Sequence, residues 1–83
     1  MSFTITVRNA GATSTVEVYQ RININEEQQI LNRIIESGGS VPAQAYSTEE
    51  NGDERGVFRW RHLGSNMTGQ ETVRAGEELV VDD

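Results

Sequence analysis

No cysteine occurs in this chain, and that absence limits its folding more than any residue present. Disulfides and thiolate-bound metals are both excluded as staples. The 83 residues must therefore be held by one compact apolar core. A domain of this length buries a little over ~60% of the surface that its unfolded chain exposes. The apolar share of 35% suffices for such a core, and the length fits a single domain over residues 1–83. A disulfide-free core also fits an intracellular protein.

The net charge is −6, and every basic residue is arginine. An acidic chain is a poor match for nucleic acid, whose phosphates demand clustered cations, and for anionic membrane surfaces. No apolar run approaches the ~20 residues that span a bilayer, and residues 1–20 lack the charged-then-apolar layout of a signal peptide. These features predict a cytoplasmic protein with no membrane insertion.

Phe3, Ile5 and Val7 alternate with Thr4, Thr6 and Arg8, the period of a half-buried strand. After the turn residues Asn9-Ala10-Gly11-Ala12, Val16 and Val18 alternate with Thr15, Glu17 and Tyr19. Two such runs around a short glycine-containing loop predict a β-hairpin. A helix is expected next. Asn23 or Asn25 can cap it, Glu26 and Glu27 suit its first turn, and Gln28 completes a capping box with Asn25. Ile30, Leu31, Ile34 and Ile35 form an apolar stripe at helical spacing. Gly38-Gly39 is the expected stop, and Pro42 keeps the helix from continuing.

Residues 43–56 are polar, and Asn51-Gly52 favours a tight turn within them. A strand is expected from Val57 to Leu63, with Phe58, Trp60 and His62 on one face and Arg59 and Arg61 on the other. Gly64-Ser65-Asn66 is a turn. Met67 to Val73 is a short strand, and Leu79-Val80-Val81 is the last. One helix with several strands predicts a two-layer α+β arrangement, with the first and last strands parallel neighbours at the sheet centre.

Four segments resemble the ubiquitin-like β-grasp superfamily. Thr4–Val18 is similar to its opening hairpin. The run from Glu27 to Gln44, ending Gly-Gly-Ser-Val-Pro-Ala-Gln, resembles its helix and the proline turn that follows. Arg59–Gly64 looks like its third strand, and Val73–Val81 like its glycine-acidic turn and closing strand. The resemblance implies an α+β β-grasp fold in ββαββ order, with a mixed four- to five-stranded sheet and one helix across one face. It covers about four-fifths of the chain, as many weak matches.

Conjugated members of that superfamily end in Gly-Gly, whereas this sequence ends Val81-Asp82-Asp83. The resemblance therefore implies a non-conjugated member, a non-catalytic adaptor or small subunit that works by protein contact. The alternative is a modifier or sulfur carrier activated at its carboxyl terminus by a partner enzyme. The superfamily's recognition patch maps onto Arg61, Val80 and Asp82. Together with Arg59, a planar carboxylate-binding fork beside Arg61, these are the candidate protein-binding residues.

Other chemistry-bearing residues have plainer readings. His62 is the sole histidine and has no nucleophile or base in a recognisable context, so it reads as a partly buried structural ring. Trp60 reads as core. The acidic run Glu49–Glu54 lacks the ligand spacing of a calcium loop. Asn66-Met67-Thr68 matches a glycosylation acceptor only by chance, and no phosphate loop follows the glycines. No catalytic residue, cofactor or metal is expected.

Overall fold

The computed structural model describes residues 2–83. Among them every regular element is a strand: β1 (Ser2–Asn9), β2 (Ser14–Asn23), β3 (Glu26–Ile35), β4 (Ser40–Tyr46), β5 (Arg55–His62), β6 (Met67–Arg74) and β7 (Glu78–Val81). They form a three-stranded sheet in the order β4-β1-β7 and a four-stranded sheet in the order β3-β2-β5-β6. The inner faces share one core. Ile5, Val7, Ala45 and Leu79 meet Val16, Val18, Ile35, Phe58 and Trp60 across it. The fold is a two-layer all-β sandwich, which corrects the α+β β-grasp expectation and removes the ground for a ubiquitin-like assignment.

The correction turns on residues 26–35. The expected helix is β3, antiparallel to β2 from Ser14↔Ile35 to Asn23↔Glu26. Its apolar spacing is ambiguous. Val18 pairs with Leu31 and Tyr19 with Gln29, so Ile30 is an extra, bulged residue. A bulge lets two consecutive residues turn towards the core, and Ile30 and Leu31 both pack against it. Alternation from Leu31 then buries Ile35, while Ile34 stays 66% exposed. The stripe that looked helical is a bulged strand with one isoleucine facing solvent. Three β-branched isoleucines favour that state, and β2 supplies the backbone partner that stabilises it.

β1 and β2 are not a hairpin. β1 pairs antiparallel with β4 and parallel with β7, whereas β2 pairs with β3 and β5. Residues 10–13 arch from one sheet to the other, and Asn9 shapes that arch. Its side-chain Nδ2 donates to the carbonyls of Ala12 and Ile35, both at 2.9 Å, and its Oδ1 accepts from Gly11 N. Its backbone N–H donates to Gly39 O and its carbonyl accepts from Gly38 N. Gly38-Gly39 is thus the second crossing, from β3 to β4, and Gly38 has the positive φ of 77° that glycine adopts without strain. Pro42, expected to follow a helix, sits in β4 opposite Thr6, at a sheet edge where its missing N–H is tolerated.

The other end of the sandwich is closed by Gln20. This buried side chain on β2 donates from Nε2 to Tyr46 O (2.7 Å) and accepts at Oε1 from Tyr46 N (2.8 Å), joining the two sheets as a backbone bridge would. Gln20→Leu fills similar space but leaves both groups of Tyr46 unpaired. It is expected to cost about 1–3 kcal/mol in urea unfolding and to speed amide exchange at Tyr46.

Candidate surface on the outer face of the four-stranded sheet

Alternation along β5 sends Phe58, Trp60 and His62 inward and Arg55, Val57, Arg59 and Arg61 outward, as the pairings with β2 and β6 require. Tyr19 on β2 pairs with Arg59, and Arg61 pairs with Glu17. On β6, Arg74 stands directly opposite Arg55, and Arg21 on β2 pairs with Glu27 on β3. Five of the seven arginines of this acidic chain therefore lie on one face of one sheet.

Arg59 is held in place at the middle of that face. Its Nη2 and Nε donate to the two carboxylate oxygens of Glu27 at 2.7 and 3.0 Å, and its guanidinium lies 4.6 Å from the Tyr19 ring centroid. Tyr19 OH in turn accepts from Gln29 Nε2. A bidentate pair with a stacked ring fixes the fork more firmly than a single contact would. The hydrogen bond from Arg59 lowers the Glu27 carboxyl below its usual value of 4.5, against the opposing effect of burial. The same bond raises Arg59.

Because the Glu27 value is depressed in the folded state, the pair's stabilisation is present above the unfolded value and fades as pH falls through the folded one. Both side chains are about 40% exposed (42% and 39%), so the pair contributes under ~1 kcal/mol. Carboxyl NMR is expected to show Glu27 titrating below 4.5, with the midpoint rising towards that value in Arg59→Gln.

The remaining arginines of the face are less occupied. Arg61 donates to Asn66 Oδ1 at 2.9 Å, and Arg21 has Glu50 at 3.6 Å. Arg55 and Arg74 have no ion-pair partner among the described residues. Facing like charges across a strand pair is unfavourable, so neither fold stability nor internal pairing accounts for that placement. Beside Arg59 lies an open depression of ≈ 370 Å³, walled by Arg21, Glu27, Val57, Arg59 and Gln70. Ile24, 77% exposed, stands at its rim.

The four candidate residues do not form one surface. Arg59 and Arg61 lie on the outer face of the four-stranded sheet. Val80 points outward from β7, between the fully buried Leu79 and Val81, on the other sheet, and Asp82 follows it. Mapping all four to one patch presumed a single mixed sheet, and two sheets place the pairs on opposite sides. The residues not singled out from sequence are Arg55, Arg74, Arg21, Tyr19 and Glu27. Arg55 was legible, being in phase with Arg59 and Arg61, but it fell in a segment read as loop.

His62 is 1% exposed. Its Nε2 lies 2.8 Å from Ala12 O, a carbonyl that can only accept, so this nitrogen carries a hydrogen. Ser65 Oγ is 3.3 Å from Nδ1. The ring thus links β5 to the first arch. Residues 47–54 fold into a compact turn, with a bridge between Thr48 and Gly52 and a Gly52 φ of 79°. Among the described residues no group of three or more His, Cys, Asp or Glu side chains is placed to hold a metal ion. No helix among them is long and apolar enough to cross a membrane. Compared with known protein families, curated proteins and solved structures, the chain has no significant match.

Proposed function

We propose that this chain is a non-catalytic binding module that engages an acidic protein segment through the outer face of its four-stranded sheet. The observation that carries the reading is the placement of Arg55 opposite Arg74, in line with Arg59 and Arg61, on a chain whose net charge is −6. Two guanidinium groups set side by side, with Glu54 lining the depression they share but in ion-pair contact with neither, form a site for carboxylates from elsewhere. Arginine suits that role because its planar fork takes a carboxylate bidentately. Arg59, braced by Glu27 and Tyr19, supplies a rigid centre that loses little side-chain freedom on binding. The depression beside it, with Val57 in its wall, offers room for one apolar anchor. The net positive charge that five arginines leave on this face over Glu17 and Glu27 also steers an oppositely charged partner and speeds encounter.

The test is titration of the labelled protein with a glutamate-rich peptide, followed by amide NMR. Shifts concentrated on Arg55, Arg59, Arg61 and Arg74, weakened by salt and lost in Arg55→Glu/Arg74→Glu, are the expected result. Shifts centred on Val80 and Asp82, or tighter binding of a single-stranded oligonucleotide, would overturn the reading.

A further inference from the structure

The two sheets have four edges, and three are closed to another strand. β4 carries Pro42, which has no N–H to offer, and its Tyr46 is already bound by Gln20. β3 is broken by the bulged Ile30. β7 has four residues only. Short, bulged and proline-bearing edges are how proteins keep strands from adding. β6 has none of these features. It pairs with β5 residue for residue from His62↔Met67 to Arg55↔Arg74 without irregularity, and its far side is unpaired among the described residues.

A second observation points to the same edge. Trp60 is 6% exposed, and its Nε1 is buried with no hydrogen-bond partner among the described residues. A buried donor without an acceptor is costly. The indole lies across Gly69 on β6, so close that a Cβ there would stand 2.7 Å from Nε1. The unpaired donor thus lies over the edge strand itself, covered in the single chain, and a small tilt of the indole past Gly69 would bring it to the open edge.

We propose that a second copy of this chain docks antiparallel on β6, with Gln70 on the two-fold axis. Partners across a strand pair share a face, so the axis must pass through a residue. An axis at Glu71 would set two carboxylates against each other. An axis at Gly69 would leave the indole facing a second glycine. The axis at Gln70 places Met67, 47% exposed, opposite Val73 of the second copy, and Thr68 opposite its Thr72. It also places Glu71 of the second copy opposite Gly69, where that carboxylate can accept from Trp60 Nε1. The result is an eight-stranded sheet that joins two arginine-bearing faces, so salt strengthens the association by screening their repulsion.

Sedimentation velocity from micromolar to millimolar protein, with the indole resonance of Trp60 followed in parallel, tests the pairing. The expected result is a dimer whose indole proton moves downfield in step with the dimer fraction. Gln70→Lys, which sets two ammonium groups face to face on an exposed surface, weakens association about tenfold or more and leaves thermal unfolding unchanged at concentrations where the protein is monomeric. Glu71→Ala abolishes the indole shift. A monomer at every concentration would overturn the proposal. So would a dimer that survives Gln70→Lys with the indole resonance unmoved, because the copies would then meet elsewhere.

Discussion

Replacing Asn9 by alanine is expected to destabilise the protein by about 2–4 kcal/mol. The side chain is fully buried and satisfies the carbonyls of Ala12 and Ile35 and the N–H of Gly11. Each buried group left unpaired costs ~1–3 kcal/mol, and water entering the vacated space recovers part of the total. The effect exceeds that of an ordinary turn residue because both sheet crossings meet at this point. The backbone of Asn9 holds Gly38 and Gly39 while its side chain holds residues 11, 12 and 35. Urea unfolding measures the loss. For a domain of this size each kcal/mol lowers the melting temperature by roughly 4–8 °C, so the variant should melt well below the parent.

Gly69→Val is expected to destabilise by about 1–3 kcal/mol, although valine is normally the better strand residue. The sign reverses because the Trp60 indole occupies the space of the missing side chain. A Cβ at position 69 would lie 2.4 Å from Cζ2 and 2.5 Å from Cε2 of the ring. Either β6 moves away from β5 or the indole leaves the core and exposes apolar area. Trp60 is the only tryptophan, so its fluorescence reports the outcome. The variant should show a red-shifted emission together with the lower unfolding midpoint. Unchanged emission and stability would mean that the ring does not cover this glycine.

How much of this was legible in the sequence depends on the range of the interactions involved. β1, β2 and β5 were readable because their inward residues alternate against mostly polar neighbours, a two-residue period that is a local signal. β7 was readable because Leu79-Val80-Val81 is a short apolar, mostly β-branched run just after a glycine turn. The facing of Phe58, Trp60 and His62 against Arg59 and Arg61 followed from the two-residue period. The parallel contact of β1 with β7 was also expected, and Thr6 to Asn9 do pair with Glu78 to Val81.

β3 misled for a physical reason. A bulge at Ile30 makes consecutive apolar residues consistent with a strand, and neighbouring capping residues made a helix equally consistent. Only the pairing partner β2 decides between them, and pairing is not a local property. β4 was hidden because its inward residues after Val41 are only Ala43 and Ala45, too weakly apolar to stand out between Pro42 and Gln44, and Arg55 was passed over because a strand start next to polar residues looks like a loop. The hairpin between β1 and β2 failed because nothing in Asn9-Ala10-Gly11-Ala12 says whether a turn folds back within a sheet or arches to another. The contacts of Asn9 with Ile35 and Gly39 decide that, 26 and 30 residues away in sequence.

The braced Arg59 at the centre of the arginine face requires residues 26–35 to be a strand that carries Glu27 and Gln29 beside Tyr19 and Arg59. Proton NMR of this segment is the most direct check. The structure predicts interstrand contacts between Glu17 and Asn32, between Tyr19 and Gln29, and between Tyr19 and Arg59. Contacts between residues three apart along 26–37, the mark of a helix, would contradict the sandwich and remove the surface built on it.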